Sequence, residues 1–97
     1  MIKWFDVREA TDFAREQADF LLRELTGISG KRDAVFARKA EDALVKVDAR
    51  VKAFRTTHSL NFYQRARLAN VFLWTLRDGG CPAEYAEELT QWLTLRL

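Results

Sequence analysis

The sequence has 97 residues, a length that indicates one folded domain over residues 1–97. Its composition, 48% hydrophobic and 31% charged, excludes a disordered chain. The net charge of +2 does not by itself imply nucleic-acid binding. Its longest apolar run, Val71–Trp74, is far too short to cross a bilayer, and the acidic start of the chain is unlike a signal peptide. Because one cysteine cannot form an internal disulfide, we expect a soluble cytoplasmic protein without a membrane segment.

The first predicted helix covers about residues 6–26. Asp6 and Glu9 have the spacing of a capping box, and Gly27 is typical of a left-handed helix end. Small and aliphatic residues recur on one face at Val7, Ala10, Ala14, Ala18, Leu21 and Leu25. The segment therefore predicts an amphipathic helix with an alanine-rich face.

The second predicted helix covers about residues 31–56 and has the most regular spacing in the chain. Its apolar positions alternate by three and four, at Ala37, Ala40, Leu44, Val47, Val51 and Phe54. This seam is shorter than the three or four heptads typical of a free-standing coiled coil. It favours an intramolecular helical hairpin.

The third and fourth predicted helices cover about residues 60–78 and 82–95. Ser59 or Asn61 can cap the third helix, and two glycines at 79–80 end it. Pro82 then occupies the first position of the fourth helix, where proline is common. Cys81 precedes it as a candidate cap.

These four segments predict an all-α fold, either a four-helix bundle or two packed antiparallel helical hairpins. The net charges along residues 1–25, 31–58, 59–78 and 79–97 are −2, +4, +2 and −2. Opposite charges therefore attract the first helix to the second and the third to the fourth.

Catalytic and metal sites are not expected. A single histidine excludes multi-histidine metal centres, and Cys81 and His58 lie about 30 Å apart along the third helix, too far for a nucleophile–base pair. We predict no enzyme activity and no cofactor. His58 is expected to cap or hinge the end of the second helix, and a role as a pH switch or ligand is the alternative.

Four cations on the second helix are candidates for phosphate binding. At 100° per residue they form a narrow basic stripe beside the apolar seam: Arg32, Lys39, Lys46 and Arg50. No aromatic or amide side chains interleave with them to contact bases. The alternative is a solvated flank that pairs with the acidic first helix.

Cys81 has three interpretations. It is a small, partly buried turn residue, or a reactive thiol whose pKa is lowered at a helix N-terminus, or, on the weak signal of a Cys-Pro dipeptide, a thiolate ligand to haem. The carboxylates of Glu84, Glu87 and Glu88 oppose the lowering.

The third helix is apolar almost all round, which one four-helix core cannot fully cover. Either it is central and flanked by three helices, or a second copy covers it. The interface candidates are Phe62, Leu68, Phe72 and Trp74, with Phe13 and Phe20 from the first helix. Our first hypothesis is a helical protein–protein interaction module that forms a homodimer or binds another protein, with an adaptor, regulatory or assembly role. A nucleic-acid-binding protein is the second hypothesis, and a thiol sensor at Cys81 is the third.

Overall fold

The computed structural model describes residues 6–26 and 33–97. Four helices occupy these residues: α1 at Arg8–Thr26, α2 at Asp33–Thr57, α3 at Phe62–Asp78 and α4 at Ala83–Arg96. The all-α prediction is confirmed, and the helix ends lie within two residues of those predicted. Within the described ranges no helix combines the length and apolarity needed to cross a membrane.

Two hydrogen bonds fix the directions of the helices. Gln64 Nε2 donates to the carbonyl of Asp6 over 2.9 Å, so α1 and α3 begin at the same end of the molecule. Arg96 Nε donates to Asp48 Oδ1 over 3.0 Å, so the last turn of α4 lies beside the second half of α2. The chain therefore runs up, down, up and down, with α1 parallel to α3 and α2 parallel to α4.

The neighbours in the bundle are not simply those that follow one another in sequence. α1 lies against α2 and α3, and α4 lies against α3 and α2. Over the described residues, the backbones of α2 and α3 do not approach each other. The four contacts close a ring, so the arrangement is a four-helix bundle built from the hairpins α1–α2 and α3–α4. The two helix pairs predicted from charge, α1 with α2 and α3 with α4, are both in contact. The most extensive contact of α1, however, is with α3.

The side-chain volumes on α1 explain its preference for α3. The large flank of α1 faces α2: the Phe13 ring stacks on Phe54 at 4.2 Å, and the Arg50 guanidinium lies 4.2 Å from the Phe20 ring centre. The opposite flank carries Ala14 and Ala18, both fully buried. Small side chains let two helix axes approach closely, so the alanine flank packs tightly on α3.

All four helices contribute to one core. Its largest fully buried side chains are Leu21 from α1, Val47 and Val51 from α2, Leu68, Phe72 and Leu76 from α3, and Leu93 from α4. Removing apolar side chains of this size from water stabilises the fold by about 1.5–3 kcal/mol each. Two helices, α1 and α4, pack against α3, rather than the three helices expected if it were central.

The turn between α3 and α4 differs from its predicted form by one residue. Gly80 has φ of 98°, which favours glycine, and its N–H donates to the Arg77 carbonyl over 3.0 Å. The Cys81 N–H donates to the Leu76 carbonyl over 3.0 Å, which completes a Schellman motif. Pro82 is the N-cap of α4 rather than its first helical residue, and Cys81 belongs to the end of α3.

Candidate protein-interaction site

The outward side of α3 carries exposed aromatic and basic side chains. Helical spacing of four, three and four residues brings Tyr63, Arg67, Asn70 and Trp74 to one side, opposite the buried positions of α3. Phe62 lies at the edge of this surface and is 75% exposed, and Trp74 is 47% exposed. We call Phe62, Tyr63, Arg67, Trp74 and Arg77 the α3 aromatic face.

Local interactions hold this face in place. Asn61 Oδ1 accepts a hydrogen bond from the Gln64 backbone over 2.8 Å, and Gln64 Oε1 accepts one from the Asn61 backbone over 2.9 Å. This capping box fixes the first turn of α3, where Phe62 begins the helix. At the other end the Arg77 guanidinium lies 4.8 Å from the Trp74 ring centre, a cation–π contact that orients the indole.

Four of the six predicted interface residues are covered within the chain instead. Leu68 and Phe72 are fully buried in the core, because they lie on the inner side of α3. Phe13 and Phe20 are buried between α1 and α2, and the contacts described above account for both rings. Of the predicted set, only Phe62 and Trp74 remain open to a partner.

The basic stripe lies beside α1. Lys39 is exposed, Lys46 Nζ lies 5.9 Å from the Phe20 ring centre, and Arg50 Nη1 donates to Gln17 Oε1 over 3.4 Å. Arg32 lies outside the described residues. Two of the three described cations therefore contact α1, through Phe20 and Gln17 rather than through the acidic side chains that the flank interpretation predicts.

Cys81 packs against the core with its thiol partly buried. Burial raises its pKa above the ordinary value of a cysteine, because the thiolate loses hydration. A redox sensor requires the opposite direction. The position after the Gly80 turn also explains the residue type, since this site of a Schellman motif commonly makes an apolar contact.

His58 lies in the connection between α2 and α3, one residue beyond the end of α2. Its ring stacks on Phe54 at 4.1 Å, its Nδ1 lies 3.2 Å from the Phe54 carbonyl oxygen, and its Nε2 lies 3.2 Å from Glu9 Oε1. Contact with the last carbonyls of α2 matches the capping role predicted for His58. Since α3 is about 26 Å long at 1.5 Å per residue, His58 and Cys81 are separated by its whole length.

Sequence reasoning did not identify a second surface, the outward side of α4. A groove of about 640 Å³ runs between α3 and α4, and Leu73 contributes its apolar surface. Its other lining residues are Glu84, Glu87, Glu88, Thr90, Gln91 and Thr94. We call Glu84, Glu87 and Glu88 the α4 acidic face. The signal in the sequence was three glutamates within five residues on the exposed side of an amphipathic helix.

Across residues 6–26 and 33–97, no three histidine, cysteine, aspartate or glutamate side chains converge as metal ligands. No family model matches the chain, and no curated protein or solved structure matches it either. The site is therefore interpreted from its own chemistry.

Proposed function

We propose that this chain is a small helical protein–protein interaction module that self-associates and has an adaptor, regulatory or assembly role. The observation that supports this function is the exposure of the α3 aromatic face. Phe62 and Trp74 leave most or half of their surface in water, although burial of such side chains is favourable by about 1.5–3 kcal/mol each. Tyrosine, tryptophan and arginine are also the residue types that dominate binding energy at protein interfaces.

The proposal includes no catalytic activity and a cytoplasmic location. Separation of His58 from Cys81 by the length of α3 supports the first, since a nucleophile and its base must lie within hydrogen-bond reach. A free, partly buried cysteine supports the second, because thiols stay reduced in the cytoplasm.

The test is the mass of the protein in solution as a function of concentration. We expect light scattering to give a mass that rises toward two chains, and the double variant Phe62→Gln/Trp74→Gln to keep the mass of one chain. Val45→Gln is the matched control, because Val45 is 64% exposed on α2, away from α3, and it should leave association unchanged. A wild-type mass of one chain at every concentration would refute self-association.

Nucleic-acid binding through the basic stripe is the second candidate, supported by three cations on one flank of α2. It predicts affinity that falls steeply with salt and is lost in the triple variant Lys39→Glu/Lys46→Glu/Arg50→Glu. It ranks second because Phe20 and Gln17 already engage Lys46 and Arg50. A thiol sensor ranks third, because the raised pKa of Cys81 opposes thiolate formation.

A further inference from the structure

The surface formed by α3 and α4 carries opposite charges side by side. Arg67 and Arg77 lie on α3, and the three glutamates of the α4 acidic face lie on α4, all of them exposed. Among the described residues, none of these five side chains forms an ion pair within its own chain. The surface is therefore complementary to a rotated copy of itself.

From this charge arrangement we infer that the occupant of the α3 aromatic face is α4 of a second copy, and this inference rests on the self-association proposed above. The two chains are related by a two-fold axis parallel to the helices. This operation puts α3 of each copy beside α4 of the other, antiparallel to it. Such an interface uses the same surface of both chains, as two-fold dimers require.

The antiparallel α3–α4 hairpin fixes which residues meet. Arg77 and Glu84 lie at the same end of the molecule because the turn at 79–82 joins their helices. A rotation about an axis along the helices leaves their level unchanged, so Arg77 of one copy meets Glu84 and Glu87 of the other. At the opposite end, Phe62 and Leu95 are 75% and 83% exposed, and the same operation brings them together across the interface.

The groove between α3 and α4 faces the second copy in this arrangement. Leu73 gives it an apolar surface, and the carboxylates on its α4 side face α3 of the second copy, which carries Arg77. The Arg77 guanidinium, already stacked on Trp74, offers a flat cation next to an aromatic ring. Arginine in this setting pairs well with carboxylates while its stem covers apolar surface.

The size of this surface predicts a weak dimer. The 17 residues of α3 span about 26 Å, and two adjacent helices are about 20 Å wide, which gives roughly 500 Å² of projected area per chain. This is below the roughly 800 Å² per partner of standard interfaces, so we expect association at micromolar concentrations that weakens as salt rises.

A single-stranded nucleic acid is the competing occupant, since aromatic rings and arginines on one face can stack on bases and contact phosphates. The α4 acidic face borders this surface and would repel a phosphate backbone. The second copy is therefore favoured, and nucleic acid becomes an outcome of the test.

Complementary charge reversal tests the arrangement. One variant carries Arg77→Glu, and the other carries Glu84→Arg. Each variant alone places like charges at both α3–α4 contacts of the dimer, so we expect about tenfold weaker association in sedimentation velocity, or about 1.4 kcal/mol. Mixing the two restores opposite charges at both contacts, so we expect a heterodimer close to wild-type affinity.

Each outcome has a distinct meaning. Arg38→Glu makes the same change as Arg77→Glu at an exposed position of α2, and we expect it to dimerise like the wild type. If both reversal variants dimerise normally, or if their mixture stays monomeric, the α3–α4 pairing is refuted while self-association stands. If the wild type is monomeric and binds a fluorescent oligonucleotide through Arg67 and Arg77, both proposals fail. Circular dichroism checks that all variants remain helical.

Discussion

The two parallel contacts of the bundle, α1 with α3 and α2 with α4, differ in how closely their helices pack. On α1, Ala14 and Ala18 are completely buried, and Gly79 after α3 approaches Leu22 so closely that a Cβ there would overlap the leucine side chain. Between α2 and α4 an open groove of about 900 Å³ remains, lined by residues that include Leu44 and Trp92.

This difference shows that side-chain volume, more than charge, determines which helices pack closely. The α1–α3 contact has small residues on one side and a very close approach at Gly79 and Leu22. The α2–α4 contact has large aromatic side chains, and its ion pair lies near one end, where Asp48 meets Arg96 at 3.0 Å. Interiors packed to crystal-like density tolerate added volume poorly, whereas an open groove accepts it.

A larger side chain in each contact should give the clearest difference in stability between the α1–α3 and α2–α4 contacts. Ala18→Leu inserts three carbons into the α1–α3 contact, and we expect a loss of about 1–3 kcal/mol in the free energy of unfolding. Ala37→Leu makes the same change in the α2–α4 groove, where Ala37 is exposed, and we expect a change within about 0.5 kcal/mol. Urea denaturation measures both. Equal losses in the two variants would contradict the difference in packing.

The ion pair of the open contact should have a smaller, pH-dependent effect. Hydrogen bonds and charge attraction, first from Lys52 and then from Arg96, lower the pKa of Asp48. A lowered pKa in the folded state adds stability above the usual aspartate pKa, and this stability is lost as the pH falls through the folded value. We therefore expect Asp48→Asn to lower the Tm slightly at pH 7.

The pH dependence separates this effect from a packing change. The difference in Tm between the wild type and Asp48→Asn should shrink as the pH falls from about 5 toward about 3. When both proteins also carry Lys52→Met, most of this difference in Tm should disappear, because Lys52 contributes more than Arg96 to the lowered pKa of Asp48. A difference in Tm that stays constant over this pH range would indicate that the charge of Asp48 does not stabilise the fold.

The smallest expected effect concerns Cys81, which lies at the closed end of the α3–α4 hairpin, near Tyr85 of the open groove. Because burial raises its pKa, we expect alkylation by iodoacetamide at pH 8 to be slower than for a cysteine peptide. The rate should reach that of the peptide in urea. A native rate profile with a midpoint below that of free cysteine, about 8.5, would revive the sensor hypothesis.

Much of the fold could be predicted from the sequence, because helix ends depend on local chemistry. Asn61 and the glycines at 79–80 mark the limits of α3 through hydrogen bonds that involve neighbouring residues only. That the most extensive contact of α1 is with α3 was not predicted, since short connections and charge both pointed to sequence neighbours. The small side chains of Ala14 and Ala18 indicate a close helix contact. They identify α3 as the partner only once Phe13 and Phe20 are known to face α2.

The interaction surface was predicted less completely, for a physical reason. Both sides of α3 are apolar. Helical periodicity places Phe72 and Trp74 on different sides, but it does not show which side is buried by the other helices. Burial assigns Phe72 to the core and leaves Trp74 at the surface. The α4 acidic face gains significance only beside Arg77, and that proximity depends on the hairpin turn.

The parallel pairing of α1 and α3 also has a kinetic consequence. Leu22 and Gly79, which touch in the folded protein, are 57 residues apart in the sequence. Closing a segment of this length loses chain entropy before its contacts form, which slows folding relative to a bundle of sequence neighbours. During synthesis α2 is available to pack against α1 before α3 has been made. We therefore expect the alanine flank to be the last part of α1 that is covered during folding.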